Sequence, residues 1–158
     1  KAMVKQQQLY FEEIKPDDLL LSRDYGPLTV TDTVRWAGFQ ENWQHLHFDR
    51  NHVRKHNGLR TFIASGAYRQ ALLIRMLTDW IGPLGRLCKL SLRQTHPTFE
   101  GDTQHYFGQV VEKSSTPNDP WITCDLEGKN QEGRQILKGR CTLLLPSRNG
   151  EHFIGKNL

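Results

Sequence analysis

Two stretches of this chain carry side chains able to act together on a polarised carbonyl. The first is the polar loop Glu41-Asn42-Trp43-Gln44-His45-Leu46-His47-Phe48-Asp49. The second is Phe62-Ile63-Ala64-Ser65-Gly66, which runs into the apolar segment Ala67 to Leu77. His47 is the candidate for proton transfer, because imidazole changes its protonation near neutral pH. Asn42, five residues earlier, can orient a water or a carbonyl but cannot take a proton. Gly66 would open a helix, where a backbone N–H lacks an intrahelical partner and the helix dipole favours negative charge. That makes Gly66 the candidate oxyanion donor and Ser65 either its N-cap or a second contact to the bound carbonyl. Each residue also has a structural reading: His47 as a hydrogen-bonding residue before a helix, Gly66 as a packing glycine. Asp49 reads as a helix cap before it reads as an acid. His45 points away from His47 if the loop is extended, and stays in reserve.

The elements that must position these residues follow from local pattern. Leu9 to Ile14 is a short apolar run expected as a first strand, and Lys15-Pro16-Asp17-Asp18 breaks it. Asp24-Tyr25-Gly26-Pro27 reads as a turn. Thr29 and Asp32 form a capping box, Val30, Val34 and Ala37 share a helical face, and Gly38 is the expected stop. Asp49 caps a short polar helix closed by Asn57-Gly58, and Ser65 caps the apolar one. That second helix is apolar over most of its circumference, which predicts burial on nearly all sides, and Gly82-Pro83 ends it. Strand patterns follow at 88–93, 105–112, 121–126 and 136–145, separated by polar hairpin loops. Strands segregated from one core helix give an α+β class, with a curled antiparallel sheet wrapped around the helix. Phe39, Trp43 and Tyr68 are candidates for the wall of an acyl pocket or for the core.

The totals narrow the classes. At 158 residues, 37% hydrophobic and 24% charged, with mean hydropathy −0.63, the chain fits one globular domain over 1–158. Its core is expected at about 9–146, with 147–158 a loose tail. A net charge of +4 and a pI near 9.1 suit an anionic, phosphate-bearing ligand. No dense basic run or nucleic-acid motif is present, so nucleic acid is not an expected partner. Arg54, Lys55, Arg60 and Arg93 are the cations considered for phosphate, with plain surface charge as the other reading. The cysteines Cys88, Cys124 and Cys141 are odd in number and form no CxxC, so neither a disulfide framework nor a metal site is expected. All three read as buried small hydrophobes. The absence of a leader or membrane span points to a cytoplasmic protein.

The motifs, taken in order, resemble the MaoC-like hot-dog dehydratases. Asn42 to Asp49 matches that family's loop ending in His, an aromatic or aliphatic residue, and Asp. Ala64-Ser65-Gly66-Ala67 stands at the opening of its central helix. Pro97-Thr98-Phe99-Glu100-Gly101-Asp102-Thr103 matches its Pro-x-x-x-Gly-Asp-Thr turn. Asn130-Gln131-Glu132-Gly133 and Gly139 to Pro146 match its final strand pair. The agreement runs from about Thr29 to Pro146 and is closest to the branch with type-two hydroxyacyl-thioester dehydratases and C4-type mesaconyl-CoA hydratases.

The resemblance implies a hot-dog fold and reversible hydration of a 2-enoyl thioester carried on CoA or acyl-carrier protein. It implies no metal or redox cofactor, and a homodimer or a pair with a related hot-dog subunit. His47 and Asn42 would then be the catalytic pair, and Gly66 with Ser65 the thioester-binding pair. Two positions depart from the commoner pattern: Asn42 stands where Asp is usual, and Ser65 where many relatives have His. They motivate an alternative, a non-catalytic subunit that shapes a partner's site. A third reading, thioester hydrolysis, needs a carboxylate on or beside the central helix, and Asp79 lies too near that helix's end to serve.

Overall fold

The computed structural model describes residues 8–115 and 119–148. Five strands, β1 (Arg23–Tyr25), β2 (Arg86–Gln94), β3 (Gln104–Lys113), β4 (Trp121–Asn130) and β5 (Gln135–Leu144), form one antiparallel sheet in the order β1-β3-β4-β5-β2. Along β3 and β4, side chains alternate between core and solvent. Tyr106, Val110, Ile122, Cys124 and Leu126 face inward, as the period of a half-buried strand requires. The sheet curls around the long helix α3 (Gly66–Ile81).

Helix α3 buries Arg69, Leu73, Met76, Leu77 and Ile81, a single stripe at helical spacing. Leu72, Ile74 and Trp80 are only half-covered. Burial on nearly all sides, expected from composition, is therefore not found: the sheet covers one face, and the apolar residues beside it are partly open in the single chain. Ahead of it lie α1 (Val30–Gln40) and α2 (Arg50–His52), which runs on into a widened turn, Val53–Asn57, closed by Gly58 at φ 65. The Thr29–Asp32 capping box forms as read. Gly38 does not stop α1, which continues to Gln40 and ends on Glu41 in the left-handed conformation, φ 52.

Further expectations fail. Leu9 to Ile14 holds a 3-10 turn, Phe11–Glu13, instead of a strand. Phe11 and Ile14, three apart, both turn to the core, and Lys113 takes both their carbonyls at 2.8 and 2.7 Å. Asp24 and Tyr25, read as part of a turn, instead belong to β1 and pair with β3. Cys124 and Cys141 are buried and paired across β4 and β5, but Cys88 is exposed, against expectation. Of the tail, Ser147 is buried with its hydroxyl on the Glu12 carboxylate, so it is not loose. Residues 149–158 lie outside the described residues.

The turn Pro97 to Thr103 is locked by its own acid. Asp102 is 5% exposed; it accepts from the Phe99 N–H at 2.8 Å and the Gln131 amide at 3.0 Å, with the Arg60 guanidinium 3.5 Å away. Gln131 returns the contact by accepting from the Thr103 N–H at 3.0 Å. Asp102→Ala removes a buried carboxylate and leaves the half-buried Phe99 N–H and the Gln131 amide without their acceptor. We expect a loss of about 2–4 kcal/mol, measured as a lower urea midpoint at unchanged m-value.

Candidate active site

Three segments converge at the start of α3. The loop after α1 begins with the Asn42 N–H on the Ala37 carbonyl at 3.0 Å. It tightens into a 3-10 turn, His45–His47, in which the His47 N–H donates to the Gln44 carbonyl at 3.0 Å. Ile63 then clips this loop twice. Its N–H donates to the Leu46 carbonyl at 3.2 Å, and its carbonyl lies 2.9 Å from His47 Nδ1. A carbonyl oxygen only accepts, so this bond assigns the ring proton to Nδ1. The Nε2 lone pair of the neutral imidazole is left available.

Asp49 and His45, the other groups of the loop, are committed to each other. Asp49 Oδ1 accepts from the N–H groups of Asn51 and His52 at 3.0 and 2.9 Å, and Oδ2 lies 3.1 Å from His45 Nδ1. The His52 amide first, and His45 after it, hold the Asp49 carboxyl below the usual range. The His45 ring stacks on His52 at 4.7 Å.

Ser65 caps α3, its Oγ accepting from the Tyr68 N–H at 3.1 Å. Gly66 is the first helical residue, and its N–H has no partner within the helix. Space over Gly66 is taken by Gln94: a Cβ there would meet Gln94 Nε2 at 2.8 Å. Gln94 Nε2 donates to the Gly66 carbonyl at 2.9 Å, and its Oε1 accepts from Arg69 at 2.9 Å. Arg69 is 2% exposed and donates also to the carbonyls of His96 at 2.9 Å and Ile136 at 2.6 Å. Its Nε has no hydrogen-bond partner among the described residues. Burial works against its charge and lowers its pKa.

His96 repeats the His47 arrangement. Its Nδ1 lies 3.0 Å from the Gln135 carbonyl, which again fixes the proton on Nδ1 and frees Nε2. Neither His96 nor Arg69 was singled out from sequence. Their signals were an imidazole directly ahead of the Pro97 turn and a cation on the apolar stripe of α3.

Two spaces meet at His47. A cavity of about 10 Å³, room for roughly one water, is lined by Thr33, Trp36, Asn42, His47, Ser65 and Tyr68. The indole Nε1 of Trp36 is buried with no hydrogen-bond partner among the described residues. On the other side an open groove of about 300 Å³ runs past His47, Gly66, Arg69, Gln94, His96 and Pro97. The structure thus brings His47 together with Asn42 and Ser65 in one space and with Gly66 in the other. Tyr68 lies on the cavity wall, and its burial raises the hydroxyl pKa. Phe39 and Trp43 stand outside both spaces, 79% and 57% exposed, so in the single chain they wall no acyl pocket.

The remaining candidates lie elsewhere. Asp79 pairs with Arg75 at 3.9 Å near the far end of α3. Arg54 donates to the Arg60 carbonyl at 2.9 Å, and Arg60 serves Asp102. Lys55 and Arg93 are exposed. Among the described residues no group of three or more His, Cys, Asp or Glu is placed to hold a metal, and no helix is long and apolar enough to cross a membrane.

The sheet order and the helix it curls around define a hot-dog fold. The chain superposes on the R-hydratase PhaJ1 from Pseudomonas aeruginosa with a TM-score of 0.79 at 20% identity, covering 89% of this chain and 88% of that one. An (R)-hydratase from A. caviae involved in PHA biosynthesis gives 0.77 at 18% identity, over 85% and 99%. The ChsH1-ChsH2 complex from Mycobacterium tuberculosis gives 0.73 at 24% identity, over 83% and 98%. A search of curated proteins finds no match. Residues 13–120, more than half of the chain, match the MaoC like domain, and the chain belongs to that family.

One ion pair holds the His47 loop region to the turn at Pro97. Arg50 grips Glu100 through both nitrogens, with Nε at 2.7 Å, and the Thr61 hydroxyl donates to Glu100 at 2.7 Å. The Arg50 hydrogen bond is the main cause that lowers the Glu100 pKa from 4.5 to about 2. A lowered carboxylate stabilises the fold above its unfolded pKa, and that contribution drains away as pH falls through the folded value. Stability should therefore decline between pH 4.5 and 2. Glu100→Gln should be less stable at neutral pH and show a shallower slope in that window, measured by denaturant titration at several pH values.

Proposed function

We propose that this protein adds water reversibly to a 2-enoyl thioester carried on CoA or acyl-carrier protein. The observation that carries the reading is the His47 ring. Its Nδ1–H is pinned on the Ile63 carbonyl, and the residue sits between a one-water cavity shared with Asn42 and a groove that passes Gly66. Family membership supports the same chemistry. Addition needs a base for the water, a proton for the α carbon and donors for the enolate oxygen. In this reading water in the cavity is oriented by the Asn42 amide and gives a proton to His47 Nε2 as its oxygen bonds to the β carbon. The π electrons move onto the thioester oxygen, which the Gly66 N–H receives at the positive end of α3. One such donor is typically worth about 3 kcal/mol in the transition state. The enolate then collapses as the α carbon takes a proton from a donor on the groove side, and the proton held by His47 passes to solvent. No metal or redox group is required by this scheme. The Asn42-to-His47 spacing also supports the branch with type-two hydroxyacyl-thioester dehydratases and mesaconyl-C4-CoA hydratases.

A second reading is a subunit that acts only with a related hot-dog chain. An amide at position 42 cannot supply the acid usual at that place, and a cavity of about 10 Å³ is too small for an acyl chain. One matched structure is a two-protein complex. Half-covered Leu72, Ile74 and Trp80 on α3 would suit a partner of either kind.

Purified protein given a panel of enoyl-CoA substrates should hydrate at least one, read as loss of enoyl absorbance. His47→Ala should cut kcat by about a hundredfold or more while circular dichroism and Tm stay near wild type. Full turnover in that variant would remove His47 from the mechanism. Activity that appears only on adding a second MaoC-like chain would select the subunit reading. Thiol release from saturated acyl-CoA, without hydration, would replace both with hydrolysis.

A further inference from the structure

We propose that His96 is the second proton-transfer group of this site, delivering the α proton that Asn42 cannot. The inference rests on the hydration reading above and adds a residue to it. Three observations carry it. His96 and His47 line the same open groove, together with Gly66 and Gln94. Both rings hold a backbone carbonyl through Nδ1, at 3.0 Å for His96 and 2.9 Å for His47, so each presents Nε2 as its free nitrogen. And His96, although exposed, is held from several directions. Its carbonyl accepts from buried Arg69 at 2.9 Å, its ring is fixed on the Gln135 carbonyl, and Thr95 beside it is tied to Ile136 and Gln135 at 3.0 and 2.9 Å. Pro97 restricts the backbone that follows. An exposed imidazole with only a solvent role gains nothing from such fixation, which costs side-chain freedom. Fixation does serve proton transfer, where geometry sets the rate.

Among the described residues, the titratable and charged groups lining the groove are His47, His96 and Arg69, and no carboxylate lines it. An imidazole is therefore the group there able to exchange a proton near neutrality, and there are two. Their positions divide the work. His47 borders the one-water cavity and takes the proton from water as the C–O bond forms. His96 borders only the groove and, entering as imidazolium, gives the proton of Nε2 to the α carbon as the enolate collapses. Water supplies the hydroxyl, His96 supplies the hydrogen, and the proton left on His47 passes to solvent, from which His96 is recharged. The reverse order dehydrates.

The test uses the full chain, with its partner if one proves necessary, and an enoyl-CoA that wild type turns over. His96→Asn keeps a donor near the Nδ1 position for the Gln135 carbonyl and deletes Nε2. His96→Gln, with its donor further out, is the second variant. Both should lose about a hundredfold in kcat at little change in KM. Both should also lose the alkaline limb of the pH–rate profile, the limb that an obligate imidazolium imposes. Either variant retaining the wild-type limb makes His96 a structural residue and overturns the proposal. If His47→Ala is inactive while the His96 variants turn over normally, the hydration reading stands and His96 is excluded. If wild type hydrates nothing in either form, the reading itself fails and the role of His96 goes with it.

Discussion

The architecture of the site depends on a positive charge buried without a carboxylate. Taking a guanidinium out of water costs several kcal/mol unless its donors are met. Arg69 offsets much of the cost through its two terminal nitrogens, its Nε staying unmet among the described residues: their acceptors are Gln94 at the end of β2, His96 in the turn beyond it and Ile136 at the start of β5. Two of those acceptors flank Thr95 and the third lies forty residues further on, and one planar side chain on α3 gathers them. Gln94, fixed by that contact, lies against the glycine that opens the helix. The opening of α3 at Gly66 is thus tied through Gln94 and Arg69 to the end of β2 and the start of β5. Tyr106, whose hydroxyl burial pushes up to about 12 against the pull of Arg69, stays neutral beside this cation and adds no compensating charge. The charge stays dispersed over dipoles, an arrangement that tolerates little rearrangement.

Much of the fold was legible because its signals are local. The Thr29–Asp32 box, the caps at Asp49 and Ser65, and the four long strands all follow from residue type and period. What failed was decided at a distance. Arg23–Tyr25 is a strand because β3 offers an edge for it, and Phe11–Glu13 is a turn because Lys113 claims its carbonyls. Helix α3 looked buried all round because composition counts apolar residues without knowing how far a sheet reaches. The same divide runs through the site. The His47 loop and the Ser65-Gly66 opening could be found from spacing, since each is a short motif. His96 and Arg69 could not, because their meaning lies in the Gln135 and Ile136 carbonyls some forty and sixty-seven residues away.

The family motifs divide into two kinds once placed in space. Gly101-Asp102-Thr103 and Asn130-Gln131 are one structure, a carboxylate and an amide that satisfy each other's neighbours beneath the turn. They position the groove wall and do not line it. Asn42, His47 and Gly66 line the spaces themselves. Motif agreement therefore speaks to scaffold and to site unequally, and the departures at Asn42 and Ser65 fall among the residues that line the small cavity. Ser65 spends its oxygen on the cap, so its substitution for an imidazole removes a titratable group and leaves a helix start well formed.

The cysteines carry one more consequence. Cys124 and Cys141 sit side by side on neighbouring strands under the core, and contact with Cys141 together with burial holds the Cys124 thiol far from its ionised form. Cys88 alone meets solvent. An alkylating reagent added to the native chain should reach one sulfur, and two more become reachable only when β4 and β5 part. The mass of the modified protein is then a built-in clock for opening of the sheet centre, readable without any added probe.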